Sequence, residues 1–240
     1  MHTVDRQGSG LVWYGHRGLL IRAPENTWSA YKAAIDVGLP AIELDVVQSK
    51  DGKIVCSHNF DLERETDGFG YIFETTWAEL KKINAAIHWS GNTEKIPLLE
   101  DVLSKVPKGF LVDIEIKTRK ALDGSTAIKV AKIVKRLKVQ KSTIVSSFNP
   151  FALRMVKWVD QSIKTGYLLQ DTKLMFLRSF TRADHIHPRA DLFNNDFNEF
   201  AKRNKLGINV WTVNTQPGKE YFINEGVEGI ITDRPEILSG

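Results

Sequence analysis

Cysteine is all but missing from this chain. Cys56 is the only one in 240 residues, so no intrachain disulfide can form and the fold must rest on burial and hydrogen bonding. Cys56 lies in Lys53-Ile54-Val55-Cys56-Ser57-His58, a strand-like run in which a thiol serves as a small buried apolar group. No apolar stretch approaches the roughly 20 residues that a membrane-crossing helix needs, so no span is expected. Met1 to Gly10 is polar and lacks the apolar segment of a secretory leader, which points to the cytoplasm. One-sided charge is scarce too: 33 basic and 29 acidic residues leave a net +4. The densest basic stretch, Lys129 to Lys141, interleaves its cations with Ile128, Val130, Ile133, Val134 and Leu137. That spacing describes an amphipathic helix with a solvated basic face, and no nucleic-acid partner is expected.

What is present is ordinary for a globular protein, with 42% hydrophobic and 26% charged residues, and enough chain for one domain over 1–240. Short apolar strands alternate with helical patterns. Strands are predicted at Leu11–Gly15, Ala41–Val47, Phe110–Ile116, Ser142–Ser147, Ser162–Leu168, Ala183–His187, Gly207–Val213 and Gly229–Thr232, with Ile54–Ser57 pairing beside the second after the Asp51-Gly52 turn. Helices are predicted over Trp28–Val37, capped by Asn26 or Thr27, then from Pro97 to Leu103, over the Lys-rich stretch, from Pro150, over Leu192–Asn204 and over Gly218–Asn224. Eight β/α repeats imply an α/β protein closed into a (β/α)₈ TIM barrel, with its site at the C-terminal ends of the strands. An open doubly wound sheet is the alternative. It would want a glycine-rich phosphate loop after the first strand, and Gly15-His16-Arg17-Gly18 is not one. Residues 60–96 interrupt the pattern as a small insertion after the second strand, with a short helix over Trp77–Ile83. Its aromatic content suits a lid.

Charges inside strands need a reason. Alternation sends Glu43 and Asp45 to one side of the second strand and Ile42, Leu44 and Val46 to the other; Asp113, Glu115 and Lys117 likewise share a side. If those sides face the barrel mouth, Glu43, Asp45 and Glu115 converge, and their mutual repulsion calls for a cation. Two readings stand open: a hard divalent ion such as Mg²⁺ or Ca²⁺, or pairing with Arg and Lys at the rim. His16 and His58 follow strands beside these acids and suit proton transfer near neutral pH. His2, His88, His185 and His187 lack such company and are read as structural, with a substrate contact left open for His88. Arg17 can fork onto phosphate oxygens and Lys117 can offer a point charge, so the set describes metal-assisted phosphoryl chemistry.

The ordered motifs His16-Arg17-Gly18, Pro24-Glu25-Asn26-Thr27, Glu43-Leu44-Asp45-Val46, Asp51-Gly52, His58, Ile96-Pro97-Leu98-Leu99-Glu100, Ile114-Glu115-Ile116-Lys117, Ser147-Phe148, Trp211-Thr212-Val213-Asn214 and Gly229-Ile230-Ile231-Thr232-Asp233-Arg234-Pro235 together resemble the glycerophosphodiester phosphodiesterase family. The resemblance implies a barrel with an insertion after the second strand and His16 and His58 as the acid/base pair. It implies Glu43, Asp45 and Glu115 as ligands of Mg²⁺ or Ca²⁺, Arg17 and Lys117 on the phosphate, Trp211 against the glycerol end and Phe148 in the pocket. The implied products are sn-glycerol 3-phosphate and an alcohol such as choline or ethanolamine. One position departs: Asn59 follows the second histidine where the family usually has Asp. Lipid-cleaving phospholipase-D-like toxins with the same barrel and a non-catalytic binding barrel are the rivals. Nothing in the sequence specifies an oligomeric state.

Overall fold

One strand, β1 (Val12–Gly15), pairs in parallel with both β2 (Ala41–Gln48) and the last strand, Gly229–Thr232, and that double pairing closes the sheet into a ring. The structure, a computed structural model, describes residues 10–91 and 93–239. After β2 comes β3 (Ile54–Cys56), which pairs antiparallel with Val46–Gln48, outside the ring. The ring continues from β2 through β4 (Leu111–Ile116), β5 (Thr143–Ser147), β6 (Lys164–Leu169), β7 (His185–Pro188) and β8 (Gly207–Val210) to β9 (Gly229–Thr232), every neighbour parallel. The eight-stranded parallel barrel anticipated from the sequence is therefore present, with one further strand beside it.

Helices α1 (Trp28–Asp36), α2 (Trp77–Leu80), α3 (Leu99–Lys105), α4 (Ser125–Leu137), α5 (Pro150–Val159), α6 (Arg178–Thr181), α7 (Asn195–Arg203) and α8 (Gln216–Glu225) lie between the strands. Their starts follow their caps. Thr27 accepts the Ala30 N–H at α1, Asn149 the Phe151 N–H at α5, and Asn194 the Phe197 N–H at α7. Some boundaries differ from the sequence reading. The helix expected from Pro97 begins at Leu99, because the Pro97 carbonyl accepts the Cys56 N–H and holds residues 97–98 extended along β3. The basic helix starts at Ser125 and ends at Leu137, where Lys138 adopts a left-handed conformation. β8 stops at Val210, after which pairing is only local: Trp211 makes an isolated bridge to Arg189, and the Val213 N–H donates to the Ile231 carbonyl.

Register decides what faces the barrel interior. Glu43 pairs with Asp113, Asp45 with Glu115, Glu115 with Ser146, Ser146 with Gly166, and Gly166 with His185. Paired residues on neighbouring strands point the same way, so this interior carries acids and imidazoles instead of the branched aliphatics usual in such barrels. Ile42, Leu44, Val46, Ile114 and Ile116 point outward and join the main core, with Ala127, Val130 and Val134 of α4 and Leu153 of α5. Two strand glycines make room for the interior polar groups. A Cβ on Gly166 would lie 2.4 Å from His187 Nε2, and one on Gly229 would lie 2.3 Å from Asn209 Oδ1. Part of the segment 60–96 forms its own cluster, Leu62, Ile72, Leu80 and Ile96, against Val47 and Val55. Among the described residues no helix is long and apolar enough to cross a membrane.

Candidate active site

The loop after β1 is drawn tight onto β2. Gly15 is required there because a Cβ would stand 2.1 Å from the Gly18 carbonyl oxygen. Gly18 has φ +88°, and its own Cβ would meet the Ala30 backbone at 2.7 Å. The Arg17 N–H donates to Glu43 Oε2 at 2.9 Å, and the Gly18 N–H donates to the Glu43 carbonyl at 3.1 Å. His16 and Arg17 are thereby carried to the end of β1, beside the acids of β2.

Glu43, Asp45 and Glu115 are all buried, and each offers an oxygen within 4.8 Å of the others. Burial, then Asp45 and Glu115, drive the Glu43 carboxyl well above its ordinary range. Burial, with Asp45 next, raises Glu115 to about 7. Asp45 goes the other way. Burial pushes it up, but Lys117 and Arg17 outweigh that and hold it ionised. Lys117 Nζ sits 2.9 Å from Asp45 Oδ1 and also contacts Glu115 Oε1, while Arg17 Nη1 binds Glu25 at 2.8 Å and its Nε lies 3.5 Å from Asp45 Oδ2. Pairing with rim cations is therefore real but incomplete. Arg17 and Lys117 offer two positive charges against three site carboxylates and Glu25, and two of the three site acids remain pushed toward protonation. The donor set is all hard oxygen, and an ammonium already bridges two of its members, so a divalent cation fits this cluster by charge and by chemistry.

His16 Nε2 lies 4.0 Å from Glu43 Oε2. His58 follows β3, and burial lowers its pKa; Asp45 opposes that shift, while Lys117 and Arg17 add to it. Its Nδ1 is 3.1 Å from Asn59 Oδ1, so the amide supplies the orienting hydrogen bond that a carboxylate would otherwise make. Phe148, after β5, and Trp211, after β8, meet edge to face with ring centres 5.7 Å apart, and the indole N–H donates to the His187 carbonyl at 2.8 Å. Seven of the nine residues singled out in the sequence thus lie at or just beyond the C-terminal ends of ring strands or of β3, while Glu43 and Asp45 lie within β2, paired with Asp113 and Glu115 of β4. His185 and His187 lie inside the barrel, His187 fully buried with Nδ1 3.3 Å from Asp113 Oδ2. His88 Nε2 is 2.7 Å from the Arg64 carbonyl, and His88 shares a cavity wall with His58, Glu25, Glu65 and Trp89. His2 lies outside the described residues.

The model of the glycerophosphoryl diester phosphodiesterase family matches residues 16–237. The chain belongs to that family. Glycerophosphodiester phosphodiesterase of Caldanaerobacter subterraneus subsp. tengcongensis is 37% identical over 230 residues, spanning 93% of this chain and 94% of the relative. Among solved structures, an Oleispira antarctica phosphodiesterase in complex with the product sn-glycerol-3-phosphate superposes with a TM-score of 0.85 at 28% identity, covering 95% of each chain. The Thermotoga maritima glycerophosphodiester phosphodiesterase gives 0.76 at 28% identity over 98% of each. Like them, this family member is a hydrolase.

Other side chains organise the site without having been singled out. Of the two residues expected to cap α1, Thr27 does so, and Asn26 instead clamps Asp45. Its Nδ2 donates to Asp45 Oδ2 at 2.9 Å, and its Oδ1 accepts the Asp45 N–H at 3.0 Å. Asp233 Oδ1 stands 2.6 Å from His16 Nδ1, and Asn214 Nδ2 donates to Asp233 Oδ2 at 2.6 Å. A signal for Asp233 was available: it continues the alternation Gly229, Ile231 of β9 by one more step. Asn26 stood in the Pro24-Glu25-Asn26-Thr27 motif, but its left-handed conformation (φ +55°) and its reach to Asp45 are tertiary facts.

Proposed function

We propose that this chain hydrolyses water-soluble glycerophosphodiesters, such as glycerophosphocholine or glycerophosphoethanolamine, to sn-glycerol 3-phosphate and the alcohol, in a reaction that depends on a divalent metal. The observation that carries the reading is the meeting of His16 and His58 with Glu43, Asp45 and Glu115, flanked by Arg17 and Lys117, at one end of the barrel. A hard cation, Mg²⁺ or Ca²⁺, held by the three carboxylates would draw charge from the phosphate oxygens. Arg17 adds a donor: among the described residues its buried Nε, 3.5 Å from Asp45 Oδ2, makes no hydrogen bond, so its N–H can be given to a phosphate oxygen. Lys117 offers a second positive charge, preset by Asp45 and Glu115. Phe148 and Trp211 form an apolar corner against which the glycerol carbons pack.

One histidine takes the proton of the glycerol hydroxyl next to the ester as that oxygen attacks phosphorus. The other returns a proton to the departing alcohol oxygen, and water then opens the cyclic phosphate. Residues 60–96 serve as a lid, since Glu65, Thr66, His88 and Trp89 wall a cavity together with His58. That the Oleispira antarctica relative binds sn-glycerol-3-phosphate supports the product assignment. The test is release of sn-glycerol 3-phosphate from glycerophosphocholine by metal-stripped protein titrated with Mg²⁺ and then Ca²⁺. Release that requires either metal supports the reading. Turnover of sphingomyelin or lysolipids alone, or metal binding with no turnover on any substrate, overturns it.

A further inference from the structure

We infer that Asp233, braced by Asn214, is a positioning residue that fixes His16 as the Nδ1–H tautomer and so presents its Nε2 lone pair as the base of the reaction. The inference rests on the proposed reading of His16 as half of the acid/base pair, and adds to it which half.

The Asp233 carboxylate is held at both oxygens. Oδ1 is 2.6 Å from His16 Nδ1, and Oδ2 accepts from Asn214 Nδ2 at 2.6 Å. Asn214 is itself oriented, because its Oδ1 accepts the Asp233 N–H at 2.9 Å and the Thr232 hydroxyl at 3.1 Å. That fixes the amide: oxygen toward the backbone of β9, nitrogen toward the carboxylate. Burial raises the Asp233 carboxyl, but the hydrogen bond and charge of His16, the Asn214 hydrogen bond and Arg17 together outweigh this, and the group stays below its ordinary range. An ionised carboxylate can only accept, so the hydrogen between the two groups belongs to Nδ1. The remaining ring nitrogen, Nε2, lies on the Glu43 side at 4.0 Å, where the phosphate would bind.

The two histidines are therefore not equivalent. Behind His16 stands a carboxylate, which accepts the Nδ1–H and holds the ring with Nε2 turned toward Glu43. Behind His58 stands the neutral Asn59 amide, whose Oδ1 also receives Arg64 Nη1 at 3.4 Å. In the attack step the hydroxyl O–H bond breaks, its electron pair goes into the new O–P bond, and the proton passes to His16 Nε2. Donation to the leaving oxygen falls to His58.

Asn214 makes Asp233→Asn a sharp probe. The Asn214 N–H₂ demands an acceptor, so the new amide must turn its oxygen there and its own N–H₂ toward His16 Nδ1. That reverses the tautomer, putting the hydrogen on Nε2, where it blocks the base. The experiment uses full-length protein labelled with ¹⁵N-histidine. Two-bond ¹H–¹⁵N correlations report the His16 tautomer, with the signal assigned by its loss in His16→Gln, alongside kcat and a metal titration. Expected are an Nδ1–H tautomer in the wild type and an Nε2–H tautomer in Asp233→Asn, with kcat lower by about 10²- to 10⁴-fold and an unchanged metal midpoint. Asp233→Asn, Asn214→Ala frees the new amide to turn, and should regain part of both the tautomer and the rate. A wild-type Nε2–H tautomer, or Asp233→Asn with tautomer and kcat unchanged, overturns the inference. A wild type inert toward glycerophosphodiesters but showing the Nδ1–H tautomer would instead sink the functional reading and the word base, leaving the positioning contact intact.

Discussion

Asp45 shows how little freedom a single residue has at this site. Asn26 grips its backbone and carboxylate, and Lys117 and Arg17 flank it, so its two oxygens are aimed before any ligand arrives. His16 and His58 bear the proton chemistry of the proposed reaction. His16→Ala or His58→Ala is expected to lower turnover by about 10²- to 10⁴-fold in a glycerophosphocholine assay; near wild-type turnover in either would remove it from the mechanism. Glu43→Gln takes a charge from the cluster and should raise the metal concentration needed for half-maximal activity, whereas an unchanged titration would exclude Glu43 as a ligand. Asn59 can be tested in the direction of the usual family residue. Asn59→Asp places a negative charge 3 Å or so from His58 Nδ1, which favours the imidazolium, so the limb of the rate–pH profile governed by His58 should move to higher pH. A profile that stays in place would show that orientation alone is what this position supplies.

At the scale of elements, the barrel interior is filled by pairs in which one strand gives up a side chain so that its neighbour can place a polar one. Gly166 of β6 does this for His187 of β7. His187 is fully buried, and burial drives its pKa far down, so the ring is neutral beside Asp113. Gly166→Ala would put a methyl 2.4 Å from the imidazole, so the ring or the strand must shift. The expected cost is about 1–3 kcal/mol, read as a lower denaturant midpoint with an unchanged slope. An unaffected midpoint would mean that the interior relaxes more readily than close packing allows.

At the scale of the whole molecule, the acids that build the site work against stability. Burial raises Glu115 from an ordinary 4.5, and Asp113 from 3.8, to about 7. A carboxyl whose folded pKa is raised binds its proton more tightly in the folded state. Its favourable contribution is full below about pH 4 and is lost as pH climbs to about 7. The metal-free protein should therefore show a melting temperature that falls between about pH 4.5 and 7, and Mg²⁺ or Ca²⁺ should restore it at neutral pH, by about 2.7 kcal/mol at a hundredfold excess over Kd. A melting temperature indifferent to both metals at pH 7 would mean that Glu43, Asp45 and Glu115 do not hold a cation.

Strand alternation made much of this legible in advance. The parity of Glu43 and Asp45 against Ile42, Leu44 and Val46 is a local property, because successive side chains of a strand must point to opposite faces, and it placed both acids on one side of the strand before any fold was known; that this side faces the barrel interior followed only from the register. The repeat of strand and helix likewise implied a closed parallel barrel, since right-handed crossovers leave few other ways to bury both faces. Element ends were read less well, as at Pro97, where a hydrogen bond to β3 from far along the chain overrides the local preference to start a helix. The pairing of Asp233 with His16, 217 residues apart, and the grip of Asn26 on Asp45 belong to tertiary structure alone. Each depends on the distance and angle between two strand ends, and those are set by how the ring closes, which no local pattern of residues encodes.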